Sequence, residues 1–147
     1  MRMVTPLHHV EFRWDVPNDG EMTDIPAELV SASILIGGMR NEGHEFVVRS
    51  ERSDEIRLDA RNDVFSVDES TSALFVGFDV QPLFDGIDLD NATIGSGGII
   101  RIEDGANDDL LAIFDNNLIK AIQLFDDNDG DKRLDPEERD DTDVLAE

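Results

Sequence analysis

The chain has 147 residues, with 35 aspartates and glutamates against 12 lysines and arginines, a formal net charge of −23 at pH 7 and a pI of about 4.1. A surface this acidic repels nucleic-acid phosphates and anionic lipid headgroups, and no apolar run approaches the roughly 20 residues that span a bilayer, so we expect neither nucleic-acid binding nor membrane insertion. Cysteine is absent from the sequence, which excludes disulfides and thiol nucleophiles.

The composition predicts one domain. Apolar residues make up 39% of the chain, which is enough for one sizeable core. Neither a linker rich in proline, glycine and serine nor a repeat of about 20 to 50 residues interrupts it. We therefore expect residues 1–147 to form a single domain, with a β-sandwich portion over 1–105 and a helix and loop over 106–147.

Alternation of apolar and polar residues predicts that most of the first 105 residues are β. The predicted strands cover residues 10–16, 30–36, 45–51, 55–59, 74–80 and 99–102. Gly37, Gly38 and the Asn41-Glu42-Gly43 segment predict the turn of a hairpin between the second and third runs, and Pro82 ends the fifth. Six strands separated by regularly spaced turns favour a mainly β fold, an antiparallel β-sandwich, with one C-terminal helix that places it at the margin of the α+β class.

The pattern changes near residue 107. Apolar residues then recur at steps of three and four from Leu110 to Phe125, after Asn107 and two aspartates that suit a helix N-terminus. This spacing predicts a helix from about 108 to 124, which leads directly into an acidic loop with a short turn or helix after Pro136. The alternative is two strands joined at residues 115–117.

The acidic loop over residues 127–138 has the oxygen spacing of a twelve-residue calcium loop. Ca²⁺ takes six to eight oxygens, and a loop of this kind supplies them from its first, third, fifth, seventh, ninth and twelfth positions. The ligands expected here are Asp127, Asp129, Asp131, Arg133 through its backbone carbonyl, Asp135 often through water, and Glu138 with both carboxylate oxygens. Leu134, at the eighth position, is expected to face inward.

These positions make the segment resemble an EF-hand loop and the single loops of dockerin-like calcium modules. The sixth position, where that family has glycine with a positive φ, is Lys132, and a non-glycine residue there costs about 1 to 2 kcal/mol. We therefore expect a weakened or reshaped calcium site. The competing interpretation is a solvated acidic turn in which Asp135 and Pro136 begin a helix.

The order of elements, with the segment 84–94, a helix and then residues 125–130, is also similar to uncharacterised β-sandwich regions of bacterial secreted proteins and lipoproteins. This resemblance implies an extracytoplasmic location, in which millimolar calcium suits a weak loop. It implies a non-catalytic structural or adhesion-type module, with protein or glycan partners unspecified. The alternative function is a carbohydrate-binding or hydrolytic domain. The lone tryptophan, Trp14, which alternation places inward, and the lack of tyrosine argue against a sugar-stacking platform.

No catalytic residue can be selected from the sequence. It lacks the nucleophile elbow, the phosphate loop and the zinc-protease motif, and its three histidines, His8, His9 and His44, are more typical of a surface than of a metal site. We expect no enzyme activity. The group Asp85, Asp88, Asp90 and Asn91 is a second possible cation site, although aspartate beside glycine is ordinary turn chemistry.

The charged residues also indicate adaptation to high salt. Only two lysines, Lys120 and Lys132, accompany ten arginines, and the acids are scattered along the chain. Self-repulsion at this charge destabilises the compact state at low salt, and concentrated cations relieve it. The hypothesis is a halophilic source, with the cytoplasm of a high-salt organism as the alternative location. The rival is an acidic surface protein from an ordinary environment.

A melt in rising KCl separates these two origins. Screening alone is nearly complete by about 1 M salt, where the Debye length has fallen to about 3 Å. For a salt-adapted chain we expect the melting midpoint, followed by circular dichroism, to keep rising above that concentration. A midpoint that stays constant beyond the screening range would count against the halophile hypothesis.

Overall fold

The computed structural model describes residues 5–17, 27–40, 43–67, 73–127, 131–136, 139 and 144–147. This part of the chain is mainly β, as the sequence predicts, with one helix longer than a single turn. Its strands are β1 (Thr5–Leu7), β2 (His9–Trp14), β3 (Ile34–Met39), β4 (Glu45–Ser50), β5 (Asp54–Asp59), β6 (Phe65–Val67), β7 (Leu74–Phe78), β8 (Ile100–Ile102), β9 (Ile122–Asp126) and β10 (Val144–Ala146). Its helices are α1 (Val80–Leu83) and α2 (Asp108–Leu118).

The strands form four small open sheets, in the orders β1-β6, β2-β5, β10-β9-β7 and β3-β4-β8. Antiparallel pairing prevails, while β4 and β8 run parallel, with Val48 opposite Ile102.

The chain divides into two compact units that interleave along the sequence. The first unit is Met1–Phe12, Ile56–Leu83 and Leu118–Glu147, and the second is Arg13–Glu55 and Phe84–Asn117. The single domain stays a prediction from the sequence.

The first unit is built on β9, the middle strand of the β10-β9-β7 sheet. Ile122, Leu124 and Phe125 of β9 are each at most 4% exposed. On one side β9 pairs with β7 in continuous register, from Leu74 opposite Asp126 to Phe78 opposite Ile122. On the other side it pairs with the short β10, where the register shifts. Burial of both faces of β9 makes it the centre of this unit's core.

The second unit joins the β3-β4-β8 sheet to helix α2. Phe114 of α2 is fully buried and meets the ring of Phe84 edge-on, with centroids 5.9 Å apart, and Phe84 meets Phe46 of β4 in the same way at 5.6 Å. Polar contacts reinforce this packing: the buried Ser50 hydroxyl donates to Oδ1 of Asp115 at 2.7 Å. Edge-to-face rings and a satisfied buried hydroxyl together fix the helix on the sheet.

The predicted β3–β4 hairpin is confirmed, but one of the two segments predicted for its turn, Gly37-Gly38, lies within a strand. Gly37 and Gly38 belong to β3, opposite Val47 and Phe46, and neither has a positive φ. At the reversal Arg40 N donates to His44 O at 2.9 Å, and Gly43, whose φ is +86°, donates its N–H to Arg40 O at 2.9 Å. Gly43, and neither glycine of β3, therefore provides the left-handed conformation at this reversal.

The fifth predicted strand ends at Phe78, earlier than the expected residue 80. Asp79 follows it and accepts a hydrogen bond from Gln81 N at 3.0 Å through Oδ1, which caps the single turn of α1. Pro82 lies inside this turn, where its fixed φ is compatible with a helical start. The polar cap, rather than the proline, therefore ends the strand.

The predicted helix over 108–124 is wrong in its last third. Helix α2 ends at Leu118, a 3-10 turn covers Ile119–Ala121, and residues 122–126 form β9. The run Ile122 to Phe125 extends the helical apolar spacing, but apart from Gln123 it is also a short apolar segment of the kind that a doubly buried strand shows. The alternative of two strands joined at 115–117 is also wrong, because those residues lie within α2.

The adjacent glycines of β3 give a matched test of this packing. A Cβ on Gly38 would lie 2.5 Å from Cζ of Phe46, whereas a Cβ on Gly37 would meet nothing closer than Phe46 O at 4.0 Å. We expect Gly37→Ala to raise the free energy of unfolding by about 0.5 kcal/mol, because it lowers the entropy of the unfolded chain. We expect Gly38→Ala to lower it by about 1 to 3 kcal/mol through overpacking. Urea unfolding measures both, and equal effects of the two substitutions would contradict the described strand.

Candidate metal site

The predicted calcium loop connects two paired strands. It begins at Asp127, directly after β9, and is followed by β10, whose Val144 lies opposite Phe125. The expected helix–loop–helix arrangement is therefore wrong on its N-terminal side, because a strand precedes the loop. Four of the six predicted ligands, at positions 127, 131, 133 and 135, are described. Asp129 and Glu138 lie outside the described residues, as does most of the segment after Pro136 in which a short turn or helix was predicted.

Asp127 is held at the base of the loop. Its N–H donates to Ala73 O at 3.1 Å, which extends the hydrogen bonding of the β7–β9 pair by one step. Its side chain is only 3% exposed, and Oδ2 accepts the N–H of Lys132 at 3.1 Å. A carboxylate withdrawn from water in this way must be compensated by donors or a cation. The first and sixth loop positions are thus joined directly.

Lys132 adopts the left-handed conformation that the sixth position of such a loop requires. Its φ is +64°, in the region that glycine favours. The sequence therefore predicts the location of the sharp bend, and the lysine carries its cost of about 1 to 2 kcal/mol. The hydrogen bond from the Lys132 N–H to Asp127 offsets part of that cost.

The rest of the described loop is closed by short-range polar contacts. Oδ1 of Asp131 accepts the N–H of Arg133 at 2.7 Å, an aspartate turn. The carbonyl of Leu134 accepts two hydrogen bonds from Arg139, from Nε at 3.2 Å and from Nη2 at 3.0 Å. Sequence reasoning missed Arg139, and its position directly after Glu138 was the available signal. These contacts order the backbone of the described part of the loop.

Leu134 anchors the loop against the sheet, in agreement with the expected inward orientation. It is half-buried, and its Cδ2 lies 3.5 Å from where a Cβ of Gly77 would stand. Because Gly77 has no Cβ, there is also space for the ring of Phe125, whose Cε2 would lie 2.7 Å from a Cβ at this position. Together with Arg139 these residues line a groove of about 520 Å³ beside the end of β7. Gly77 therefore permits the contact between loop and sheet.

The described residues do not by themselves assemble a complete cation site. Across the described part of the chain, no three or more histidine, aspartate or glutamate side chains come together in a way that could hold a metal ion. Asp127, Asp131 and Asp135 consequently do not form such a group among themselves. A ligand set that includes Asp129 and Glu138 stays a prediction from the sequence.

The second acidic group is a polar turn. Asp88 accepts hydrogen bonds from Asn91 Nδ2 at 2.7 Å and from the N–H groups of Asp90 and Asn91, at 3.0 and 3.3 Å. The Asn91 amide is the main cause that lowers the pKa of Asp88 below its usual value. This carboxylate thus stabilises the fold above its usual pKa and loses that contribution as the pH falls through the lowered one. Nε of Arg40 lies 3.2 Å from Oδ1 of Asp90, so Asp88 is satisfied by donors of the turn itself and Asp90 pairs with an arginine from outside it.

Searches against protein-family models, curated proteins and solved structures found no match to this chain. None of the helices in the described ranges is long and apolar enough to cross a membrane. The EF-hand likeness therefore depends on the loop residues alone.

The bend at Lys132 gives a test of the loop geometry in the absence of metal. Replacing Lys132 with glycine removes the left-handed strain, and we expect the free energy of unfolding in EDTA to rise by about 1 kcal/mol. The control is Arg133→Gly, where φ is not positive and glycine should lower stability by about 0.5 to 1 kcal/mol. Urea unfolding in constant KCl measures both. A loss of stability in both variants would contradict the described bend.

Proposed function

We propose that residues 127–138 bind Ca²⁺ and that the ion has a structural role, holding the connection between β9 and β10 in place. The observation that carries this proposal is the buried Asp127 carboxylate, closed onto the N–H of a left-handed Lys132. A solvated acidic turn that only begins a helix needs neither feature. The module is salt-adapted and non-catalytic, of a structural or adhesion type.

Electrostatics support a cation at this place. Between residues 126 and 143 there are ten aspartates and glutamates against three lysines and arginines, a net charge of −7. Closing the loop between paired strands concentrates this charge, and repulsion between carboxylates opposes the closure. A divalent cation coordinated by several of these oxygens converts that repulsion into attraction. The strand partners of the loop, β9 and β10, are then stabilised by the ion.

The site chemistry suits a setting in which calcium is abundant. The strain at Lys132 weakens binding relative to a glycine loop, and sites of about 0.1 to 1 mM affinity are loaded outside cells. We therefore assign the chain to a secreted or cell-surface protein. The single loop favours permanent loading over signalling, since sensors depend on a helix pair that opens.

Calcium should stabilise the fold in a way that depends on the loop. At about a hundredfold excess of Ca²⁺ over its Kd we expect a gain of about 2.7 kcal/mol in the free energy of unfolding. Asp127→Asn keeps the volume and an acceptor for Lys132 N–H but removes the charge, and it should abolish the gain, as should Glu138→Gln. Thermal melts in saturating KCl, with Mg²⁺ in parallel, separate binding from screening.

Glu55→Gln is the matched control, because Glu55 is an exposed glutamate on β5 and is not one of the loop residues 127–138. This variant should retain the full calcium gain. Titration calorimetry in the same high salt should show one site in the wild type. Heat no greater than dilution, or an equal calcium gain in Asp127→Asn, would refute the proposal.

A further inference from the structure

Strand β7 exposes an apolar surface at the edge of its sheet. Its alternate residues Leu74, Val76 and Phe78, here called the β7 stripe, are 37%, 43% and 42% exposed. Among the described strands β7 pairs only with β9, so its other backbone edge has no strand partner in the described part of the chain. A half-exposed apolar stripe on an edge strand is a template for pairing with another strand.

The β7 stripe lies beside buried residues of β9 on the same face of the sheet. Val76 lies opposite Leu124 and Phe78 lies opposite Ile122, and these β9 residues are 2% and 1% exposed. One face of the sheet thus passes from fully buried on β9 to half-exposed on β7. A strand added beyond β7 would extend the covered apolar surface by one row.

The edge carries none of the features that block strand addition. Residues 73–78 contain no charge, lysine or proline, although the chain carries a net charge of −23, and the β7–β9 register has no bulge. The opposite edge of the same sheet, β10, is three residues long and irregular in register, and Ala146 is bridged on its outer side to Ala60. Proteins blunt open edges with charges, proline, bulges or short strands, and only β10 shows such features.

We propose that β7 pairs antiparallel with β7 of a second copy of this chain, about a two-fold axis at Val76. In this register Leu74 lies opposite Phe78 of the second copy, and Val76 lies opposite its own equivalent. Aliphatic–aromatic and β-branched pairs of this kind stabilise neighbouring strands. The nearest charge, Asp79, lies opposite Ala73, so no two like charges face each other across the new pair.

A second copy fits this edge because the uncharged segment is complementary to itself. An isologous contact uses the same patch twice and closes after two copies. Repulsion between two chains of charge −23 opposes association over longer distances, and salt screens it. Dimerisation should therefore strengthen as KCl rises, with both copies joined in one continuous six-stranded sheet, β10-β9-β7-β7-β9-β10.

The absence of cysteine allows a direct test by crosslinking. Residues directly opposite across an antiparallel pair have Cα atoms about 4.5 to 5.5 Å apart, within disulfide range. In EDTA and high KCl, mild oxidation of Val76→Cys should give a covalent dimer. Val64→Cys is the matched control, because Val64 is 40% exposed but lies outside the stripe, and it should stay monomeric on a non-reducing gel.

Sedimentation tests the same register without a crosslink. The wild type should show a monomer–dimer equilibrium that tightens with KCl, and Val76→Glu should raise the dimer Kd at least about tenfold, because it places two like charges on the axis. Val64→Glu should leave the Kd unchanged, and circular dichroism confirms folding. A monomeric wild type in high KCl, equal crosslinking of both cysteine variants, or a dimer insensitive to Val76→Glu would each overturn the proposal.

Discussion

The constraint on which the rest of this structure depends is the need to keep a net charge of −23 at the surface while a core still forms. Five of the ten arginines pair with an acid that is close to them in the sequence. Arginine is followed two residues later by an acid that it pairs with in five places: Arg13–Asp15, Arg49–Glu51, Arg52–Asp54, Arg57–Asp59 and Arg101–Glu103. Arg57 and Asp59 share one face of β5, because residues two apart on a strand point the same way, and in each of the other four pairs one member lies just outside a strand. Exposed ion pairs of this kind contribute little to stability, so their effect is mainly to neutralise charge locally.

Local pairing explains which parts of the fold could be predicted. Strands with one polar face, such as β2 and β5, alternate charged and apolar residues, and the sequence predicts both. β9 has no polar face, because Ile122 and Leu124 are buried on one side and Phe125 on the other. Its apolar run continues the spacing of helix α2, so the sequence alone extends the helix through it. Pairing with β7 and β10 decides the outcome, and that interaction is tertiary.

Some features of the candidate loop have local causes, and others depend on residues far away in the sequence. The bend at Lys132 includes a contact with Asp127, five residues earlier, and the loop spacing predicts the positions of this bend and of the inward Leu134. The elements around the loop could not be predicted from that spacing, because a ligand pattern constrains oxygens and leaves the flanking backbone open. The anchoring of Asp127 to Ala73, and of Leu134 beside Gly77, depends on the β7–β9 register, which joins segments about 50 residues apart in the sequence.

Both proposals concern one three-stranded sheet, and their electrostatic requirements are linked. The loop follows the β9 end at which Asp126 lies opposite Leu74, so its net charge of −7 adjoins one end of the β7 stripe. Bound calcium would lower that charge and with it the repulsion between two copies paired through β7. Monovalent salt would lower the same repulsion without ordering the loop. Under the two proposals calcium and KCl would act alike on association and differently on the stability of the β9–β10 connection. In a chain with so few cations of its own, ions from solution would then supply the opposite charge that this sheet requires.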